Sequence, residues 1–349
     1  AYLLRVERVP ARSILVLCFN RNAVSSLRRR LRQLAGADAR GVAVYTYHGL
    51  AMRLTGRSLA TAGGKREEQP DFANILQQAV DLLKGKIEID GLEADEYRDR
   101  LLSGWHYILV DEYQDIDQAQ YELVSALSGR TLDEQDNRLT IMAVGDDDQN
   151  IYSFRGTGVE FIRRFQDDYQ AGVRFLVENY RSSAHIIAAA DMMIRQEKMR
   201  MKVHHPIRIN RQRRSDPPGG RWTELDPFGR GRVQCVEVPG QDGQVVSLMA
   251  SLRRLQGQDS DFHWQDCAVL AREWAALSPV RALCEEEHIP VEMIMDAGVL
   301  PPLHRIREFS VFLERLRRID DELVSGPRLA ALLEEVRGKE GNRWWHYLE

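Results

Sequence analysis

The sequence predicts an open α/β fold with parallel sheets flanked by helices, and two observations carry that prediction. Four short apolar, β-rich runs occur in the first half: SILVLCFN (13–20), GVAVYTYHGL (41–50), YILVDE (107–112) and RLTIMAVGD (138–146). Stretches with helical spacing separate them. Strands that alternate with helices imply βαβ units and a parallel sheet, in which ligands sit at the carboxyl ends of the strands.

The first run is continuous and apolar, as expected of a strand buried on both faces. RNAVSSLRRRLRQLAG follows with Ala23, Leu27, Leu31 and Leu34 at helical spacing and Gly36 as a stop. The stretch 56–104 reads as helical, polar and irregular, a short insertion. VRFLV (173–177) begins another strand, and NYRSSAHIIAAADMMI a helix. The turn-rich 211–232 reads as a loop. Beyond it, RVQCVEVPG, CAVLAR and VEMIM alternate with helices near 241–256 and 278–287, which predicts a second α/β unit. The tail from about 302 reads as helical. The expected domains are 1–172, 173–320 and a helical tail or inserted subdomain at 321–349.

Composition narrows the class. A chain of 349 residues with 44% hydrophobic and 29% charged content has enough apolar residues for a sizeable core. No apolar run reaches the ~18 residues of a membrane span, and AYLLRVERVP lacks the apolar core of a signal peptide. The four cysteines are scattered without a CxxC pair, which argues against a disulfide framework or zinc site and fits a reducing, cytoplasmic setting. The net charge of −4 does not advertise nucleic acid, but RNAVSSLRRRLRQ and KMRMKVHHPIRINRQRR (198–214) are locally basic. Such patches bind phosphate backbones, although arginine-rich faces are also commonly just solvated.

The chemistry gathers at strand ends. ILVDEYQDID (108–117) places four acidic residues directly after an apolar run. One carboxylate there can hold Mg²⁺, a hard cation that takes oxygen ligands, and the next can deprotonate an attacking water. These are Asp111 and Glu112. An acidic turn facing solvent gives the same string. AVGDDDQNIYSFRG (143–156) ends the next strand with three aspartates. Gln149 can bond a phosphate or a metal-bound water, and Arg155 can pair with phosphate in two-pronged fashion. Tyr152 and Phe154 offer faces for base stacking, or simply pack in a core. Tyr180 and Arg181 in ENYRSS suit an adenine platform and a phosphate clamp, or a buried tyrosine beside a surface arginine.

Together these strings resemble the UvrD/Rep-like superfamily one DNA helicases. ILVDEYQDID resembles motif II of that family (DExQD), VGDDDQNIYSFRG motif III, LVENYRSS motif IV, LVLCFNRNAVSSLRRRL motif Ia and VYTYHGLAMRL motif Ib. The five occur in the family's order over residues 13–183. CAVLAREWAALSPVRALCEEEHIPV is similar, more weakly, to the second motor domain.

The resemblance implies two RecA-like motor domains of the P-loop NTPase type with ATP and Mg²⁺ between them. Asp111 would hold the metal and Glu112 act as general base, while Gln114 and Gln149 link nucleotide state to DNA. Tyr180 would stack on adenine and Arg181 reach the γ-phosphate. Phe19, Asn20, Arg21, Thr46 and His48 would line the single-strand path with Tyr152, Phe154 and Arg155. The implied activity is ATP-dependent translocation, 3′ to 5′, along single-stranded DNA, with duplex unwinding in repair, replication or recombination. DNA and ATP are the implied partners, and no membrane is.

The sequence departs from the family in several places. No G-x-x-x-x-G-K-[ST] loop is present; SLATAGGKRE fails at Leu59 and Arg66. No counterparts of motifs V and VI occur. The chain therefore reads as incomplete at both ends, and this piece alone as inactive in hydrolysis. Phe154 replaces a common Trp, Arg21 a common Lys, and the segment between motifs Ib and II is short. Two other readings are a degenerate, non-hydrolysing homologue that binds DNA or scaffolds, and a nuclease-linked recombination motor of the same superfamily.

Overall fold

The computed structural model describes residues 1–56, 71–87, 94–102, 104–130, 132, 138–151, 158–293, 314–317 and 326–337. The chain divides into two units, Ala1–Gln234 and Cys235–Glu349.

The first unit is built on a four-stranded sheet: β1 (Ile14–Cys18), β2 (Ala43–Thr46), β3 (Tyr107–Val110) and β4 (Thr140–Ala143). The order is β2-β1-β3-β4 and every pair is parallel. All four expected strands are present, and all four carboxyl ends therefore lie on one edge. All five residues of β1 are buried, as its central place requires. Alternation sends Leu15 and Leu17 to one face with Ile108 and Val110, and Ile14, Val16 and Cys18 to the other with Val44.

Helix α1 (Arg21–Ala35) covers the second face with Val24 and Ala35, aided by Ala23, Leu27 and Leu31. Leu34, expected on this stripe, is 51% exposed. A true 3.6-residue period carries the stripe on to Ala35 instead. The other face holds α2 (Tyr47–Leu54), α3 (Phe72–Leu83) and α5 (Gln118–Ser128), with α4 (Ala94–Leu102) between α3 and β3 in sequence. Helix α3 corrects the picture of a polar, irregular stretch at 56–104. Its Ile75, Leu76, Ala79, Val80 and Leu83 are buried in the main core. Residues 57–70 lie outside the described residues. Helix α6 (Glu160–Tyr169) adds Phe161, which stacks on Tyr121 with ring centroids 4.7 Å apart.

The rest of this unit holds a minimal parallel pair, β5 (Glu178–Asn179) and β6 (Arg208–Ile209), with α7 (Ala184–Ile194) between them. The strand expected at 173–177 pairs only from its end, where the Arg208 amide donates to Val177 O at 2.8 Å. The loop expected at 211–232 is turn-rich.

In the second unit α8 (Gln241–Gln256) and α9 (Ser278–Glu286) pack through Val245, Met249, Val280 and Cys284, and α10 (Gly326–Arg337) follows. Both expected helices are found. The strands expected at 232–240 and 267–272 are not: these segments form no ladder among the described residues, and Val233, Val236 and Leu270 are exposed. An apolar β-rich run becomes a strand only where a neighbour pairs with its amides and carbonyls. Residues 294–295 of the third expected strand lie outside the described residues.

Candidate nucleotide and nucleic-acid site

The site begins where β3 ends. The Asp111 amide donates to Leu17 O at 3.0 Å, which carries the ladder one residue past the strand. Glu112 then adopts φ 52°, ψ 49°, a left-handed conformation uncommon for a residue with a side chain. The chain turns there, and Tyr113 and Gln114 go inward, 0% and 1% exposed. Burial raises the Asp111 carboxyl above its usual value, the Glu112 charge adds to the rise, and a backbone hydrogen bond from Glu112 partly opposes it. Two neighbouring carboxylates, one of them desolvated, form a donor set suited to a hard cation.

Gln114 ties this turn to the end of β4. Its Nε2 donates to Glu112 Oε2 at 2.7 Å, and its Oε1 accepts from the Asp146 amide at 2.9 Å. Asn150 Nδ2 donates to its backbone oxygen at 2.6 Å. The Tyr113 amide reaches Val144 O at 3.0 Å. Gly145 makes this closeness possible, because a Cβ there would lie 2.6 Å from Gln114 Oε1 and 2.7 Å from Ile162 Cδ1.

The other two acids of the run do different work. Asp117 caps α5, its Oδ1 accepting from the Gln120 amide at 2.8 Å. Asp115 is buried, and its Oδ1 has no hydrogen-bond partner among the described residues. Burial first, and then the Glu112 charge, push its carboxyl up to about 6.

Asp146, Asp147 and Asp148 form a tight acidic turn after β4, their carboxylate oxygens within 4.8 Å of one another. They are met by cations of the chain itself. Arg200 grips Asp148 with Nε at 2.8 Å and Nη2 at 2.7 Å. Lys202 bonds Asp146 and lies 3.2 Å from Asp148, and Arg163 lies 3.6 Å from Asp147. Burial pushes the Asp148 carboxyl up, but Arg200 and Lys202 outweigh it and hold it below its usual value. The basic run 198–214, considered above as a phosphate-binding patch, thus spends Arg200 and Lys202 on internal carboxylates. Gln149 is exposed and donates from Nε2 to Asp146 Oδ2 at 2.7 Å.

The β2–β1 half of the same edge carries the other candidates. Asn20 caps α1 by accepting from the Ala23 amide at 2.8 Å, and Thr46 caps α2 by accepting from the Gly49 amide at 3.1 Å. Arg21 is exposed, and Phe19 is partly buried. His48 packs edge-on against Phe72, with centroids 5.0 Å apart. Burial lowers its pKa against the pull of Asp117, so its ring is a neutral donor and acceptor near pH 7. Tyr152, Phe154 and Arg155 lie outside the described residues.

Tyr180 and Arg181 follow β5. The Asn179 side chain accepts from the amides of Arg181 and Ser182 at 2.9 and 2.7 Å, which shapes the turn. Arg213 Nη1 donates to Tyr180 O at 2.9 Å and Ser182 O at 3.3 Å. Tyr180 is 70% exposed and Arg181 is exposed, so both side chains are presented outward. Asn179, Arg200, Lys202 and Arg213 were not singled out from sequence. Asn179 was readable, since an Asn at the junction of an expected strand and an expected helix is an Asx-turn signal; Arg200, Lys202 and Arg213 look like any other member of a basic run.

A parallel α/β sheet that gathers Asp-Glu-x-Gln-Asp and a triple aspartate on its carboxyl edge is consistent with a helicase motor domain. Residues 1–66 and 61–170 match the UvrD/REP helicase N-terminal domain, and this part of the chain belongs to that family. The chain is 28% identical to DNA helicase II of Salmonella typhimurium, over 56% of this chain and 35% of that protein. It is 37% identical to DNA helicase II of Haemophilus influenzae, over 36% of this chain and 15% of that protein. It is 27% identical to the ATP-dependent DNA helicase PcrA of Staphylococcus epidermidis, over 66% of this chain and 27% of that protein. The match thus spans about a third or less of the length of these relatives. Among the described residues no helix is long and apolar enough to cross a membrane.

Proposed function

We propose that this chain is part of an ATP-dependent DNA helicase or translocase of the UvrD/Rep type, with RecA-like motor architecture, moving 3′ to 5′ along single-stranded DNA. One observation carries the reading: Glu112 is oriented by buried Gln114, whose other end holds the amide of Asp146. A solvated acidic turn has no need of a buried glutamine joining two strand ends, whereas a hydrolytic site needs its general base fixed.

Asp111, with Glu112 beside it, fits Mg²⁺ through its oxygen chemistry. When bound, the metal supplies charge neutralisation at the transferred phosphate. The protein's own part is to hold Glu112 for proton abstraction from water and to offer Tyr180 to the adenine and Arg181 to the γ-phosphate. Gln149 links that centre to DNA. Phe19, Asn20, Arg21, Thr46 and His48 contact the single strand, with Tyr152, Phe154 and Arg155. The helix N-termini that Asn20 and Thr46 cap would offer their remaining amides to the phosphates of that strand. Repair, replication or recombination would be its setting, in the cytoplasm.

ATPase activity stimulated by single-stranded DNA tests the reading, on this chain and on a version extended at both ends, each with a Glu112→Gln control. Activity in the extended form that the control abolishes supports it. Without a phosphate-binding loop, the chain alone binds single strands weakly, in a salt-sensitive way, without helicase-like turnover. No turnover in either form would leave a non-hydrolysing DNA-binding homologue as the better account.

A further inference from the structure

Residues 199–202 lie about fifty positions after the triple aspartate, yet every one of its carboxylates meets this stretch. Arg200 takes Asp148 with two parallel hydrogen bonds. The Met201 amide donates to Asp147 Oδ2 at 2.9 Å. Lys202 bridges Asp146 and Asp148. Arg163 of α6 fastens the stretch from behind, donating to Met199 O and pairing with Asp147. These are not loose surface pairs, because the side chains of Arg200, Asp148 and Lys202 are 9%, 11% and 12% exposed. A two-pronged guanidinium–carboxylate pair withdrawn from water fixes both position and angle.

The contacts do not stop at the aspartates. Asp146 accepts from the Asp148 amide at 3.1 Å, and its own amide donates to Gln114, which donates to Glu112. An unbroken polar chain therefore runs from Arg200 and Lys202 through Asp148 and Asp146 to Gln114 and Glu112. We infer that residues 199–202 are a latch that holds the aspartate turn and through it sets the orientation of the Glu112 carboxylate. Arg200 and Lys202 are positioning residues for the reaction, a role that rests on Glu112 being the general base. The same pairing meets the charge of the acidic turn from within the chain.

Three variants test the latch: Arg200→Ala, Arg200→Lys, and the exchanged pair Asp148→Arg with Arg200→Asp. Amide hydrogen exchange on this chain is read at Asp146 and Met201, and kcat and KM for ATP are read in the extended form. In Arg200→Ala, exchange at Asp146 should quicken about tenfold. Its kcat should fall about tenfold with KM for ATP within about twofold, the signature of a displaced base and not of lost binding. Lysine, lacking the fork, should restore only part of the loss, and the exchanged pair more of it. Unchanged exchange at Asp146 overturns the latch, whatever the activity. Quickened exchange with unchanged kcat overturns its link to Glu112. A wild-type extended form that hydrolyses nothing overturns the functional reading and that link together, while exchange still judges whether the latch holds the turn.

Discussion

Gly145 is the tightest point of the site, and Gly145→Ala is the most direct test of how the two strand ends are joined. The new Cβ would lie 2.6 Å from Gln114 Oε1, 2.7 Å from Ile162 Cδ1 and 3.1 Å from the Tyr113 amide nitrogen. The amide belongs to a backbone already bonded to Val144 O, so it gives little. Overpacking of this kind costs about 1–3 kcal/mol. If Gln114 swings away, it drops the Asp146 amide, and a buried acceptor left unpaired costs about 1–3 kcal/mol more. The sum of about 2–6 kcal/mol corresponds to roughly 4–24 °C in the melting temperature of a unit this size. Gly172→Ala is the control, since its Cβ would meet nothing within 4 Å. Differential scanning calorimetry of both variants reads the difference. A Gly145→Ala protein melting within about 1 °C of the parent would refute the claim that this contact is close-packed and that Gln114 is held by it.

Other expectations follow from the same region. Asp117→Ala should lose about 1 kcal/mol in urea denaturation through the lost cap on α5, and Asp117→Asn should keep most of it. The Tyr47 hydroxyl is buried and has no partner among the described residues, so Tyr47→Phe should melt at the parent's temperature or slightly above. Asp115 has a folded pKa of about 6 against an ordinary 3.8, so folding favours its protonated form. Its stability contribution is present below about pH 4 and is lost as pH rises towards 6. Asp115→Asn should therefore match the parent at pH 4 and exceed it by about 1 kcal/mol at pH 7, the figure being discounted for solvent screening. Urea midpoints across that range decide it, and an equal gap at both ends would count against a titrating Asp115.

The sheet was legible in sequence because its two central strands are apolar runs, β1 buried along its whole length and β3 buried or half-buried. ILVLC and YILV are apolar throughout, a signal that requires no phase to be assigned. Helix α3 was harder. Its residues in the main core fall at 75, 76, 79, 80 and 83, a clear helical period, but polar neighbours on both sides dilute it. The runs at 232–240 and 267–272 misled for the opposite reason: local β propensity was visible, but whether a strand pairs is a tertiary fact, and neither run finds a partner among the described residues. At the site, Asp111, Glu112 and Gln114 were readable from spacing after a strand. Arg200 was not, because no local rule says that one arginine of a basic run will be buried against an aspartate fifty residues earlier.

The left-handed backbone at Glu112 sets selection for robustness against selection for chemistry. A side chain in that conformation costs about 1–2 kcal/mol relative to glycine, which adopts it freely. Any search for thermal tolerance, natural or in the laboratory, would thus be rewarded for glycine at position 112 and would lose the carboxylate that Gln114 orients. A glutamate kept at such a position sits where folding alone would not choose it, so thermostabilised descendants of this protein should be screened at residue 112 before their turnover is interpreted.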